Sequence, residues 1–288
     1  MFLTLIQHAL AAHRISRTVH TPVVIGATGG SGTRVIHGIL ETAGLFMGHD
    51  QNLNHAGDAM DIEPILDAFI NPILSTTNTL DYEADDLPKK LRAAAIRDLT
   101  IAVSRFLNTL PAPQGRWGWK NPRSMYILPL IHALFPKVRF IHLVRDGRDM
   151  ATSDNQNQPR KHYQALFAEP LNETDPSGSI HLWATANLAV ANWAERNLGE
   201  RYYRLRFEDL CAEPENSVRQ ILEFAGFEDS EIQLALFTAG KTVAAPSSLN
   251  RWRQLDPAIA ENLTRQGAAA LARFGYALDP LQGGAQRR

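Results

Sequence analysis

A chain of 288 residues, 44% hydrophobic and 20% charged, has a globular composition and enough length for a full core. Its formal net charge of −1 gives no overall attraction to nucleic acid or to an anionic membrane, so any anion must be held by a local cluster. The single cysteine, Cys211, excludes an internal disulfide and a Cys-based zinc site. No apolar run reaches membrane-spanning length, and the opening segment lacks the basic start of a signal peptide, so the expectation is a soluble, cytoplasmic protein with no membrane span.

Residues 3–13 suggest a short helix. Val23, Val24 and Ile25 form a short apolar run that reads as a buried parallel strand. Four glycines follow within Gly26–Gly32, and then Val35, Ile36, Ile39, Leu40 and Ala43 recur at helical spacing. Strand, glycine loop and helix together form the geometry of a phosphate cradle. Loop amides point inward, the helix N-terminus adds partial positive charge, and missing Cβ atoms let an anion approach. A Walker A loop would need Lys where Gly32 stands, and a dinucleotide G-x-G-x-x-G is absent, so ATP and NAD are disfavoured.

Residues 46–57 read as a polar loop, with Asp58 as the cap of a helix running to about Phe69. Residues 71–83 read as a connection and 86–109 as a long helix. Arg116–Lys120 is a candidate strand, Arg123–Phe135 a helix, and Val138–Val144 the clearest second strand. Residues 157–178 carry Pro159, Pro170, Pro176 and Gly178, which predicts a mobile loop of the kind that forms substrate lids. The amide run Asn155–Gln158 either bonds hydroxyls of an acceptor or forms the solvated beginning of this loop, the second reading being favoured. Ser179–Leu198 is a helix, Arg201–Phe207 a strand and Pro214–Phe224 a helix. The tail from Lys241 is irregular until a helix near Ala258–Arg273. Strands alternating with helices predict an α/β fold with three layers and a central, mostly parallel sheet, whose strand C-termini line one ligand-binding edge.

At that edge stands Arg145-Asp146-Gly147-Arg148-Asp149, with Ser153 eight residues after Arg145. An Arg there offers a fixed fork to phosphate oxygens and the Ser a hydroxyl. An Arg–Asp network at a helix start satisfies the same residues.

Four features together resemble the sulfotransferases that use 3′-phosphoadenosine 5′-phosphosulfate (PAPS). They are Ser31-Gly32-Thr33 after the first strand, the Val144–Asp149 segment with Ser153, Arg206-Phe207-Glu208-Asp209-Leu210 followed by Pro214, and Trp119-Lys120-Asn121-Pro122. The resemblance covers roughly residues 22–275 and implies one P-loop-like sulfotransferase domain over 1–288. It implies that Gly29, Gly30, Ser31, Gly32, Thr33 and Arg34 cradle the 5′-phosphosulfate, and that Arg145 and Ser153 hold the 3′-phosphate. Lys120 would reach the sulfuryl oxygens, and Arg251, in Arg251-Trp252-Arg253, would lie on a basic loop near the 3′-phosphate. Trp252 itself reads as core rather than as an adenine platform.

Three departures shape the expectation. Gly30 stands where many members carry Lys or Arg, and Arg34 is the candidate to supply that charge. Phe207 replaces a Tyr. Pro122 replaces the catalytic His of the cytosolic enzymes, so the base is sought between His49 and Glu63, with Asp58 first and His55 and Asp61 behind it. No metal is expected, because a sulfuryl group carries less charge than a γ-phosphate. The polar loops suit a sugar, a lipid head group, a peptide or a small alcohol equally, giving a small-molecule or glycan acceptor and no nucleic-acid partner. A P-loop kinase with a degenerate loop and a non-catalytic nucleotide-binding relative are the rival readings.

Overall fold

Val23, Val24 and Ile25 lie in strand β1 (Val23–Ala27), buried along its whole length at the heart of a computed structural model that describes residues 2–112, 114–239, 243 and 245–278. β1 pairs in parallel with β2 (Gly118–Lys120) on one side and β3 (Arg139–Val144) on the other, and β4 (Tyr202–Arg206) adds in parallel to β3, giving the order β2-β1-β3-β4. The register sets Ile25 beside Lys120 and Val144 beside Arg206. The strand ends carrying Lys120, Ala27, Val144 and Arg206 therefore share one edge.

Helices α1 (Phe2–Ser16), α2 (Thr33–Thr42), α3 (Glu63–Thr77), α4 (Lys89–Phe106), α5 (Leu128–Leu134) and α6 (Gly147–Ala151) occupy the first half of the chain. They are followed by α7 (Asn157–Phe167), α8 (Ser177–Leu198), α9 (Phe207–Ala212), α10 (Pro214–Ala225), α11 (Asp229–Ala239) and α12 (Pro257–Arg273). Alternation along the strands divides the packing. Val23, Ile25 and Ala27 pack with Ile141, Leu143 and Leu205 against Ile36, Ile39 and Leu40 of α2 and Val218, Ile221 and Leu222 of α10. Val24, Trp119 and Phe140 face the opposite layer, where α3, α4, α5 and α8 contribute Leu66, Leu99, Leu130 and Val190. The result is the expected three-layer α/β architecture, in which helices cover both faces of the sheet and β1 and β2 are buried throughout, while in edge strand β4 only Leu205 is fully buried.

Several predicted elements change. Residues 157–178 are not a loop: α7 fills 157–167, and α8 begins at Ser177. Pro159 falls in the first turn of α7, where its missing N–H costs nothing, and Pro176 is the N-cap residue of α8. The amide run opens α7, and Gln158 is buried, not solvated. Asp58 does not cap α3, which starts five residues later after Ile62 and extends through Pro72 to Thr77, so most of the expected connection is helical. Residues 123–135 divide into a 3-10 stretch over Pro122–Ile127 and then α5. Helix α11, absent from the sequence expectation, packs Ile232 and Ala235 on the α2 layer.

Candidate functional site

The turn after β1 is held open by its own side chains. Ser31 Oγ donates to the Thr28 carbonyl at 2.6 Å, which folds the loop back on the strand end. Gly30 and Gly32 adopt φ of 86° and 93°, and a methyl group at Gly32 would overlap the Phe207 ring. Among the described residues, no protein acceptor engages the backbone N–H groups from Gly29 to Arg34. Consecutive free amides at the start of a ten-residue helix are donors of the kind that can hold an anion. The Phe207 ring explains the role of the segment after β4: it fills the space beneath the turn and lies 5.4 Å from the Arg145 guanidinium.

Arg145 and Ser153 lie at the same turn. Arg145 Nη1 approaches the Gly30 carbonyl at 3.4 Å, and Ser153 Oγ is 3.7 Å from the position of a Cβ on Gly30. Arg145 is buried. Its Nη2 donates to the Ser248 carbonyl at 2.6 Å and to Ser248 Oγ at 3.1 Å. Arg251 joins them through the Asp149 carbonyl, to which its Nη2 donates at 3.0 Å. Trp252 is core, stacked 3.5 Å from the Arg148 guanidinium. Arg148 itself is locked on Asp146, so of the two arginines in this segment Arg145 is the one beside the glycine turn.

On the β2 side, Lys120 Nζ donates to Asp58 Oδ1 at 2.6 Å and also to the Ala56 carbonyl. The Lys120 side chain is 1% exposed and that of Asp58 20%. Burial pushes the Lys120 ammonium down from its usual range, the Asp58 carboxylate opposes that shift, and the positive Arg34 adds to it. Arg34 is exposed, and its charge reaches this pair. Asn54 builds the turn that presents Asp58. Its Oδ1 accepts the N–H groups of Ala56 and Asp58 at 2.8 and 2.9 Å, and its Nδ2 donates to Asp58 Oδ2 at 3.0 Å. The other two base candidates are placed differently: Asn52 holds Asp61 at 2.6 Å, and His55 is exposed.

Two neighbours have roles here that the sequence did not give them. His37, one turn after Arg34 on α2, packs its ring against Gly57 at 3.4 Å from a Cβ position there. Burial, reinforced by Lys120, pushes its pKa down to about 4. Gln158 Nε2 donates to the Ala27 carbonyl at 3.2 Å, tying α7 to the end of β1. A His three residues past Arg34 shares its helix side, a signal available in the sequence; nothing local marks Gln158. Among the described residues there is no group of three or more His, Cys, Asp or Glu placed to hold a metal, and no helix long and apolar enough to cross a membrane.

Comparison with known proteins matches residues 22–231 to the model of the sulfotransferase family. An uncharacterized protein of Aquifex aeolicus is 24% identical over 208 residues, covering 67% of this chain and 26% of its own length. The Mycobacterium bovis protein named omega-hydroxy-beta-dihydromenaquinone-9 sulfotransferase Stf3 is 24% identical over 115 residues, 40% of this chain and 30% of that protein. The matches thus span less than a third of these curated relatives. Among solved structures, sulfotransferase STF9 from Mycobacterium avium aligns over 94% of this chain and 82% of its own, at a TM-score of 0.59 and 18% identity. STF1 from Mycobacterium tuberculosis H37Rv aligns over 93% and 81%, at 0.52 and 14%.

Proposed function

The chain belongs to the sulfotransferase family, and from that premise we propose that it moves a sulfuryl group from PAPS to a hydroxyl or amine of a small-molecule or glycan acceptor. The observation that carries the donor assignment is the meeting of two anion grips at Gly30: the free amides of Gly29–Arg34 on one side, Arg145 with Ser153 on the other. A doubly phosphorylated adenosine has two anionic ends to fill them. ATP fits less well. The lysine of a kinase loop would replace Gly32, where φ is 93° and the Phe207 ring fills the space of a side chain.

In this reading the acceptor oxygen attacks sulfur as the bond from sulfur to the 5′-phosphate oxygen breaks. The sulfate ester and adenosine 3′,5′-bisphosphate are the products. The loop amides and Arg34 stabilise charge on the departing oxygen and the sulfuryl group, the electrostatic logic of phosphoryl transfer. Lys120 has three donors, and Asp58 and Ala56 take two; the third serves the sulfuryl oxygens. Asp58 takes the acceptor proton, held by Lys120 and Asn54 with a lone pair to spare. The mycobacterial relative is named for a hydroxylated small-molecule acceptor, which supports an alcohol as the first acceptor to try.

Calorimetry with adenosine 3′,5′-bisphosphate and with ATP, each with and without magnesium, tests the donor. Tight binding of the bisphosphate that does not depend on magnesium is expected; magnesium-dependent ATP binding would replace this reading with a kinase. Transfer of radiolabelled sulfate to an acceptor panel tests catalysis. Donor binding with neither transfer nor donor hydrolysis would leave a non-catalytic binding module.

A further inference from the structure

The residues assigned to the 3′-phosphate converge on one buried carboxylate. Asp149 lies in α6, four residues after Arg145, and its side chain is wholly out of solvent. Its Oδ2 accepts the Asn250 N–H at 2.8 Å and its Oδ1 the Trp252 N–H at 3.0 Å. Arg145 Nη2 stands 3.4 Å from Oδ2, and the Asp149 carbonyl holds Arg251 Nη2 at 3.0 Å. One residue therefore touches both guanidinium groups and pins the backbone on either side of Arg251.

Beside these amide bonds, the pinned segment is held by the buried Trp252 ring and by Arg145 on Ser248. It enters through Asn250 at φ 60° and forms only a short 3-10 turn, Arg251–Gln254. Without the two amide bonds its register against α6 would rest on side chains alone. A buried carboxylate is costly unless bonded, and these amides offset that cost. A second observation points to a ligand. The Nε donors of Arg145 and Arg251 are both buried and have no hydrogen-bond partner among the described residues. Unfilled donors on two guanidinium groups that both contact Asp149 leave hydrogen-bonding capacity of the kind phosphate oxygens take up.

Resting on the donor assignment above, we propose that Asp149 is the positioning residue of the 3′-phosphate subsite: it sets Arg145 and the strap bearing Arg251 so that both face one phosphate. Asp149 does not touch the phosphate, which would repel it. It acts through the two arginines and the Ser248–Trp252 strap.

The test compares dissociation constants for adenosine 3′,5′-bisphosphate and adenosine 5′-monophosphate by calorimetry, in the wild type, Asp149→Asn, Arg251→Ala and the double variant. The wild type favours the bisphosphate. Asp149→Asn lowers that preference by about tenfold, the scale of one lost charged hydrogen bond, with monophosphate binding unchanged. The double variant loses more preference than Arg251→Ala alone but less than the sum of the two single losses, because Asp149 acts through Arg251 and also through Arg145. An unchanged preference in Asp149→Asn, equal weakening for both nucleotides, or additive losses would overturn the role of Asp149. A wild type with no preference would overturn the donor assignment itself. Should Asp149→Asn fail to fold, amide hydrogen exchange in the wild type decides. Exchange at Asn250 and Trp252 slows with the bisphosphate and not with the monophosphate; an equal response to both refutes the proposal.

Discussion

Replacing Asp58 with Asn removes the only carboxylate that pairs with Lys120 among the described residues and leaves an ammonium whose side chain is 1% exposed. Breaking a buried pair from one side costs about 3–5 kcal/mol. Because Asp58 is 20% exposed and the Ala56 carbonyl still holds Nζ, the lower end, ~3 kcal/mol, is expected. That corresponds to a fall in Tm of about 5 °C for a chain of this size. Its pH dependence follows from Lys120. Burial already depresses the folded-state pKa, and losing the Asp58 charge that opposes burial depresses it further. A depressed lysine costs stability wherever the unfolded chain is protonated and the folded one resists protonation. The deficit of Asp58→Asn against wild type is therefore largest near neutral pH and shrinks as pH rises toward the unfolded lysine value of about 10.4. Lys120→Met in the same chain removes the stranded charge and restores most of the stability, yet transfer stays lost. Urea unfolding of the wild type, both single variants and the double, at pH 7 and near pH 10, reads all of this. A single-variant deficit under about 0.5 kcal/mol, or a double variant as unstable as the sum of the singles, would refute the buried pair.

Arg145→Ala is expected to weaken adenosine 3′,5′-bisphosphate binding by about a hundredfold, the scale of two charged hydrogen bonds, while circular dichroism stays native; unchanged affinity would remove Arg145 from the donor site. Arg34 is exposed, so Arg34→Ala leaves the melting temperature unchanged and lowers kcat about tenfold or more in sulfate-transfer kinetics, with donor KM less affected. Gly32→Ala combines a φ of 93° with overlap on the Phe207 ring and is expected to cost about 2–4 kcal/mol in denaturant unfolding. Burial holds His37 and His142 at about 4 and His162 at about 3. Their neutral forms favour the fold above the unfolded histidine value of about 6.5, and that contribution is lost as pH falls toward 4. Three such groups give a slope of up to ~4 kcal/mol per pH unit; urea midpoints that stay flat between pH 7 and pH 5 would contradict it.

Local signals carried much of this protein in its sequence. β1, the glycine turn and α2 are legible because an apolar run, a positive-φ turn and a 3.6-residue period are properties of neighbouring residues. The edge position of Arg145 follows equally from a strand ending at Val144. Prolines misled where they punctuate helices. Pro159 and Pro176 sit at helix starts, and sequence alone does not distinguish that use from a loop.

Pairing across distance was decided only by the tertiary structure. Asp58 reads as a helix cap from its neighbours, but it stands on Lys120, 62 residues away, because the turn built by Asn54 docks on the end of β2. Asp149 reads as part of a helix-start cluster, yet it is the anchor for amides more than a hundred residues on. Short-range propensity fixes what each segment becomes. Which charges share a buried site depends on how the layers close over the sheet, and the cost of leaving such charges unpaired makes that closure specific.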